Sequence, residues 1–251
     1  MRGYIPFGQE SGLQTHFEPK EGFSYGFDWT QAALTKANAL HGDNVWPDIP
    51  DGWGREVLEE LFSTEIRLAE RLTQCISMAL NNGNRTSLAP FVDPGGSTSV
   101  MRLFHYFASD TLKETKGVKV DPTKIVMGSS PHTDWGYLTL ILQDDVGGLQ
   151  LSHQGQWVDV PHVHNSLVVN AGDFLAVLSG GRYHSPVHRV LSPSARDRTS
   201  FVLFYYPLFE TPMDNSLFTR GASVDTTGEV DSRQKSFGEY IIEKWREVKA
   251  Y

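Results

Sequence analysis

A chain of 251 residues with 39% apolar and 12% aromatic residues carries enough apolar material for the packed core of one domain. Its 30 acidic residues against 22 Lys and Arg give a net charge of −8, which excludes a broad basic surface for nucleic acid or for a polybasic membrane contact. The single cysteine, Cys75, excludes an intrachain disulfide framework and a thiolate zinc cluster; no signal-peptide core opens the chain and no apolar run is long enough for a membrane span, so a cytoplasmic protein is expected.

Residues 1–54 are rich in turn-formers and aromatics, among them Gly3, Pro6, Gly26, Trp29, Trp46, Pro47 and Trp53, and read as a loop-rich segment that packs on something. From Arg55 to Leu80, apolar residues recur at Leu58, Leu61, Phe62, Ala69, Leu72, Ile76 and Leu80 with charges between them, which predicts a long amphipathic helix. Asn81-Asn82-Gly83 is its stop signal. After Pro94-Gly95-Gly96 the texture changes to short runs of Val, Leu, Phe, Tyr and Thr. Strands are predicted at 101–107, 124–127, 137–143, 149–152, 157–160, 167–170, 174–178, 187–191 and 200–206. Turn signals such as Asp145-Val146-Gly147-Gly148 and Ser179-Gly180-Gly181 divide several of them. This count and spacing suit a jelly roll. Helical spacing returns at Phe237, Ile241, Trp245 and Val248. The expected architecture is mainly β with flanking helices. It divides into a loop-rich segment with its supporting helix (1–95), a β core (96–210) and a helical tail packed on that core (211–251), in one folded unit.

His132-Thr133-Asp134 stands immediately before the strand that begins at Tyr137. Two residues apart on extended chain, an imidazole and a carboxylate share a face and can supply two ligands to one metal ion. His188, in Pro186-Val187-His188-Arg189-Val190, is the candidate third. Two His and one carboxylate leave coordination positions open, the arrangement of non-haem Fe(II) oxygenases. A second His-x-Asp, His41-Gly42-Asp43, lies in a polar loop with no strand after it and is read as turn chemistry. His184 is excluded as a rival to His188, because Pro186 between them forbids a helical pair. Arg198 and Ser200 share one face of the strand that follows and could grip the far carboxylate of a small diacid. A second Arg-x-Ser, Arg85-Thr86-Ser87, has no metal-ligand candidate near it. Blander readings apply elsewhere: His105 faces away from Tyr106, Arg189 supports the sheet through an ion pair, and Cys75 is a packed thiol. Trp135, Tyr137, Arg182 and Tyr183 are placed at the pocket border.

Taken in order, His132-x-Asp134, Gly147-Gly148-Leu149-Gln150, Val168-Val169-Asn170-Ala171-Gly172-Asp173, His188-Arg189-Val190 and Arg198-x-Ser200 resemble the Fe(II)- and 2-oxoglutarate-dependent oxygenases of the isopenicillin N synthase-like group. Arg2-Gly3-Tyr4-Ile5-Pro6 and Lys20-Glu21-Gly22-Phe23-Ser24-Tyr25-Gly26 extend the likeness to fungal-type members. The resemblance implies a distorted double-stranded β-helix with Fe(II) at His132, Asp134 and His188. It implies 2-oxoglutarate held by Arg198, Ser200 and Tyr106, O2 as the oxidant, and ascorbate as a reductant. Many plant members carry Asn two residues before that tyrosine, where this chain has Phe104. The reaction implied is hydroxylation, desaturation or rearrangement of a small organic molecule, in secondary metabolism, with release of succinate and CO2. Family members usually carry further residues ahead of the pattern with which this chain begins. A missing buttress of that kind would expose apolar sheet surface, which predicts a homodimer. Two other readings stay open at this stage: an oxidase of the same fold that needs no 2-oxoglutarate, and a non-catalytic member.

Overall fold

Helix α1, Arg55–Leu80, follows the predicted stripe: Leu58, Phe62, Ile66, Ala69, Thr73, Ser77 and Leu80 are buried along one side. Gly54 precedes it with φ of 69°, and the Asn81 N–H closes it by donating to the Ser77 carbonyl. The computed structural model describes residues 2–10, 12–28, 38–48, 54–81, 97–110, 112, 121, 123–193, 195–215 and 235–249. Arg85-Thr86-Ser87, Asn82-Gly83, Pro94-Gly95-Gly96, Trp29 and Trp53 lie outside these described residues.

The strands are β1 Gly3–Ile5, β2 His16–Phe17, β3 Lys20–Gly26, β4 Val100–Tyr106, β5 Ile125–Val126, β6 Ser129–His132, β7 Leu138–Gln143, β8 Leu149–His153, β9 Gln156–Asp159, β10 Val168–Ala171, β11 His188–Val190 and β12 Arg198–Tyr205. Two further helices are α2, Asp173–Leu178, and α3, Phe237–Lys249. A six-stranded sheet runs β1-β3-β4-β12-β7-β10 and a four-stranded sheet β6-β11-β8-β9, while β2 and β5 form a short parallel pair. Every pairing within the two larger sheets is antiparallel.

Alternation along the strands creates two apolar clusters. The odd-numbered side chains Phe23, Tyr25, Met101, Leu203 and Tyr205 pack outward with α1, α2 and α3. Within that layer the Tyr25 hydroxyl donates to the Leu58 carbonyl at 2.7 Å, and Phe237 of α3 meets Phe174 and Tyr206 edge-on or tilted. The even-numbered Phe104, Tyr106 and Val202, with Ile141, face Leu149 and Val190 of the smaller sheet. Two sheets closing on one another around this second cluster form a double-stranded β-helix, or jelly roll.

Eight of the nine predicted strands are present with ends within two residues. The ninth, 174–178, is helix α2: Phe174, Leu175 and Leu178 are buried while Val177 is 41% exposed, a helical and not an alternating pattern. Its N-terminus is set by the neighbouring loop, where the Asp173 and Phe174 N–H groups donate to the Asp134 and Gly136 carbonyls. The loop-rich reading of 1–54 also misses β1, β2 and β3, and β6 was not foreseen. Cys75 is exposed and not packed. Arg189 makes no ion pair among the described residues; its Nε donates to Gln150 Oε1 and its guanidinium stacks 4.0 Å from the Trp157 ring. Among the described residues no helix is long and apolar enough to cross a membrane.

One buried group in α1 has no partner among the described residues. Both Glu65 carboxyl oxygens lack a hydrogen bond, and burial raises the carboxyl from its ordinary 4.5 to about 8. The folded state therefore binds this proton more tightly than the unfolded state. Stability contributed by the neutral acid is present at low pH and is lost as pH rises through the interval from 4.5 to about 8. The loss is on the order of 3–5 kcal/mol. Urea midpoints at pH 5.5 and 8.5 are expected to fall markedly in the wild type and far less in Glu65→Gln; equal pH dependence in the two would show that Glu65 ionises normally.

Candidate metal centre

His132 ends β6, Asp134 lies two residues on in the following loop, and His188 opens β11, register-paired with His132 across the smaller sheet. The two imidazole rings are 4.3 Å apart between centroids. Asp134 Oδ1 is 3.7 Å from His188 Nε2 and 4.0 Å from His132 Nε2, and one donor atom from each of the three residues lies within 4.8 Å of the others. The sequence-predicted triad is thus brought together, and it is the one such His/Cys/Asp/Glu group found among the described residues.

The tautomers follow from the backbone. His132 Nδ1 is 2.7 Å from the Ser130 carbonyl and His188 Nδ1 is 3.1 Å from the Pro186 carbonyl. A carbonyl only accepts, so each Nδ1 carries the proton and donates, and each Nε2 lone pair points into the centre. Partial desolvation of the ring by the groups packed around it, and then the like charge His188 would carry, hold the His132 pKa below its ordinary 6.5 despite the attraction of Asp134. Two neutral imidazole nitrogens and one buried carboxylate oxygen are a donor set suited to a divalent first-row metal such as Fe(II).

The Asp134 backbone is clamped by the motif at 170–173. Asp134 O accepts from Asp173 N at 2.8 Å, Gly172 N donates to Tyr137 O at 3.1 Å, and Asn170 Nδ2 stands 3.5 Å from Asp134 Oδ2. Asp173 Oδ2 accepts from Thr133 Oγ1 at 3.1 Å and from the Tyr240 hydroxyl at 2.9 Å, joining α3 to the loop between the ligands. A Cβ at Gly172 would run into the Gly136 carbonyl, a backbone atom held by its own hydrogen bond from Phe174 N. Gly172→Ala is therefore expected to displace the loop that carries Asp134, lowering both the melting temperature and metal affinity, the latter by about tenfold or more, read by Co(II) titration. Unaltered affinity would show that the loop relaxes without moving the ligand.

Arg198, Ser200 and Tyr106 lie across the same interior. Arg198 is 1% exposed and pairs in register with Tyr106, its guanidinium 4.9 Å from the centre of that ring. Its Nε donates to the Gly147 carbonyl at 2.8 Å and Nη2 to Gln143 Oε1 at 3.1 Å. Nη1 has no partner among the described residues, and neither does the buried Ser200 Oγ. Gly147 and Gly148 both have positive φ, 82° and 86°, so the turn that offers the Gly147 carbonyl to Arg198 suits glycine. A buried cationic N–H and a hydroxyl left unpaired on one strand face are what a carboxylate would complete.

Some border assignments change. Tyr137 is buried in the outer cluster against α1 and does not line the interior, and Arg182 donates to the carbonyls of Leu80 and Ser179, fastening the end of α1. The sequence reading missed Gln143, which orients Arg198, and Glu18, whose Oε1 accepts from Ser130 N, Ser130 Oγ and Gly12 N at 2.8, 2.5 and 3.0 Å and so anchors the strand of His132. No local motif announces either; only the pairing of distant strands does.

Comparison with known proteins agrees with this fold. The family model described as the 2OG-Fe(II) oxygenase superfamily matches residues 97–207. A Dictyostelium discoideum protein named "Probable iron/ascorbate oxidoreductase" is 31% identical, with 97% of this chain and 72% of the relative covered. The 2-oxoglutarate-dependent dioxygenase citB of Monascus ruber is also 31% identical; the match covers 82% of this chain but only 62% of that protein's length. Among solved structures, a full-length Neurospora crassa protein in complex with alpha-KG superposes with a TM-score of 0.68 at 25% identity, covering 97% of this chain and 72% of that one. The chain belongs to the 2OG-Fe(II) oxygenase superfamily.

Proposed function

We propose that the protein is a non-haem Fe(II)- and 2-oxoglutarate-dependent dioxygenase that oxidises a small organic molecule in secondary metabolism, within the isopenicillin N synthase-like, fungal-type branch. The observation that carries this reading is the buried Arg198, whose unpartnered Nη1 and the unpartnered Ser200 Oγ face the interior that also holds the His132, Asp134 and His188 donors. That pair favours 2-oxoglutarate use over a co-substrate-free oxidase.

In this proposal His132, Asp134 and His188 hold the iron, and Arg198 and Ser200 take the distal carboxylate of 2-oxoglutarate against the Tyr106 ring. Bound iron would couple O2 reduction to the decarboxylation of 2-oxoglutarate into succinate and CO2, with ascorbate as an auxiliary reductant. The chain's own part is orientation and exclusion of water. The carbonyls of Ser130 and Pro186 fix the two imidazoles, Asn170 stands by the second oxygen of Asp134, and Phe104, Ile141 and Val202 give the interior an apolar wall.

The division into 1–95, 96–210 and 211–251 as one folded unit belongs to the same reading, as do a cytoplasmic location and the absence of nucleic-acid and membrane partners. A homodimer is supported by the exposed side chains of Leu68 and Val169 beside Leu72, Leu142 and Leu167, on the face where β10 ends the larger sheet. Light scattering after gel filtration tests it, and a monomeric mass would remove it. The central test is anaerobic addition of Fe(II) and then 2-oxoglutarate, watched for the weak visible charge-transfer band of the chelated co-substrate. A band supports the reading, and iron binding without a band would overturn it.

A further inference from the structure

Lys20 is the one buried lysine among the described residues, 7% exposed, and nothing in the site described above uses it. It is register-paired with Tyr106, which is register-paired with Arg198, so the three form one row across β3, β4 and β12 on the inward face. Each step between neighbouring strands is about 5 Å, which puts Lys20 one strand beyond the proposed co-substrate handle. Its Nζ donates to Glu18 Oε2 at 2.5 Å and lies 5.2 Å from the centre of the Phe104 ring. An ammonium has three donors, and this is the one hydrogen bond it makes among the described residues.

The charged neighbours along this inward face are matched one to one, Arg102 with Glu10 and Lys20 with Glu18, so the spare capacity at Lys20 is that of its two unused ammonium donors. Burial works against the Lys20 ammonium, but Glu18 and Glu10 outweigh it and the lysine stays charged.

We propose that Lys20 is a specificity-determining residue that anchors the oxidised substrate through a carboxylate, leaving the rest of that molecule to lie along Phe104 towards the metal centre. The proposal rests on the oxygenase reading and deepens it. The substrate class it names is a small organic acid whose carboxylate meets Lys20 while 2-oxoglutarate occupies Arg198.

The test is calorimetric titration, under nitrogen with Fe(II) and saturating 2-oxoglutarate, of matched probes: benzoate, phenylacetate and hexanoate, each against its amide. At least one acid is expected to bind about tenfold or more tightly than its amide. Lys20→Met should bring that ratio below about threefold. Because Lys20→Met alone strands Glu18 as a buried unpaired carboxylate, Glu18→Gln/Lys20→Met is measured beside it and should show the same loss. The proposal is overturned by a wild type without acid preference, or by variants that keep it. It is overturned equally if the variants lose 2-oxoglutarate affinity in parallel, for Lys20 would then serve the co-substrate. If no charge-transfer band forms, the oxygenase reading falls separately, while the acid-to-amide ratio and its response to the variants still decide Lys20.

Discussion

Asp134→Ala loses metal binding and turnover together while the protein remains folded. The carboxylate is the sole acid in the group of three donors, 3.7 Å from one Nε2 and 4.0 Å from the other, and its removal leaves two neutral imidazoles. Since loss of an outer partner of a metal ligand already costs about 10–100-fold in affinity, loss of a ligand is expected to exceed a factor of about a hundred. The fold survives because the backbone bond that clamps this loop, Asp173 N–H to Asp134 O, does not involve the side chain. Iron content after desalting, succinate release and the melting temperature read the three parts of this expectation. Succinate release at the wild-type rate would remove Asp134 from the centre. His132→Ala should act in the same direction, its ring being the more exposed of the two.

Arg198→Lys raises the dissociation constant for 2-oxoglutarate by about a hundredfold and leaves metal affinity nearly unchanged. Arginine uses two of its nitrogens to hold itself, on Gly147 O and Gln143 Oε1, and keeps Nη1 in reserve beside Ser200 Oγ. A lysine cannot do both: its single nitrogen either replaces the internal bonds or meets the ligand, and the forked geometry is gone. The loss of a charge-assisted bidentate contact is worth roughly 2–3 kcal/mol, which gives the hundredfold figure. Titration of the charge-transfer band measures it directly. A variant with normal 2-oxoglutarate affinity but altered choice of oxidised substrate would reassign the arginine.

The sequence made some of this legible and concealed the rest for identifiable reasons. Helix α1 is readable because its apolar stripe runs through about seven turns between charged residues, and averaging over that length suppresses local accidents. Strand β3, Lys-Glu-Gly-Phe-Ser-Tyr-Gly, is invisible to the same reasoning. Its inward positions Lys20, Gly22, Ser24 and Gly26 are polar or small, Lys20 being paired with Glu18 and the glycines sitting where a Cβ would meet the Leu103 or Ser99 carbonyl, and its apolar residues Phe23 and Tyr25 face the helix instead. Helix α2 fails differently: five apolar residues are too few to reveal a period, and the deciding bonds come from the loop of Asp134. The three metal-ligand candidates could be named from spacing, since a short motif fixes two and a later strand offers the third. Gln143, Glu18 and Lys20 could not, because their roles depend on which strands lie side by side, and register is a property of the whole sheet.

The alternation along β4 and β12 has a consequence for how such a scaffold can diversify. Met101, Leu103 and Leu203 belong to the layer shared with the helices, whereas Arg102, Phe104 and Val202 look into the interior from the same two strands. Replacement at an inward position therefore reshapes the interior and the contact between the two sheets, while the seam with the helices goes untouched. The two seams are carried by interleaved residues of the same strands, so the interior can be altered at the cost of one packing layer and not of both.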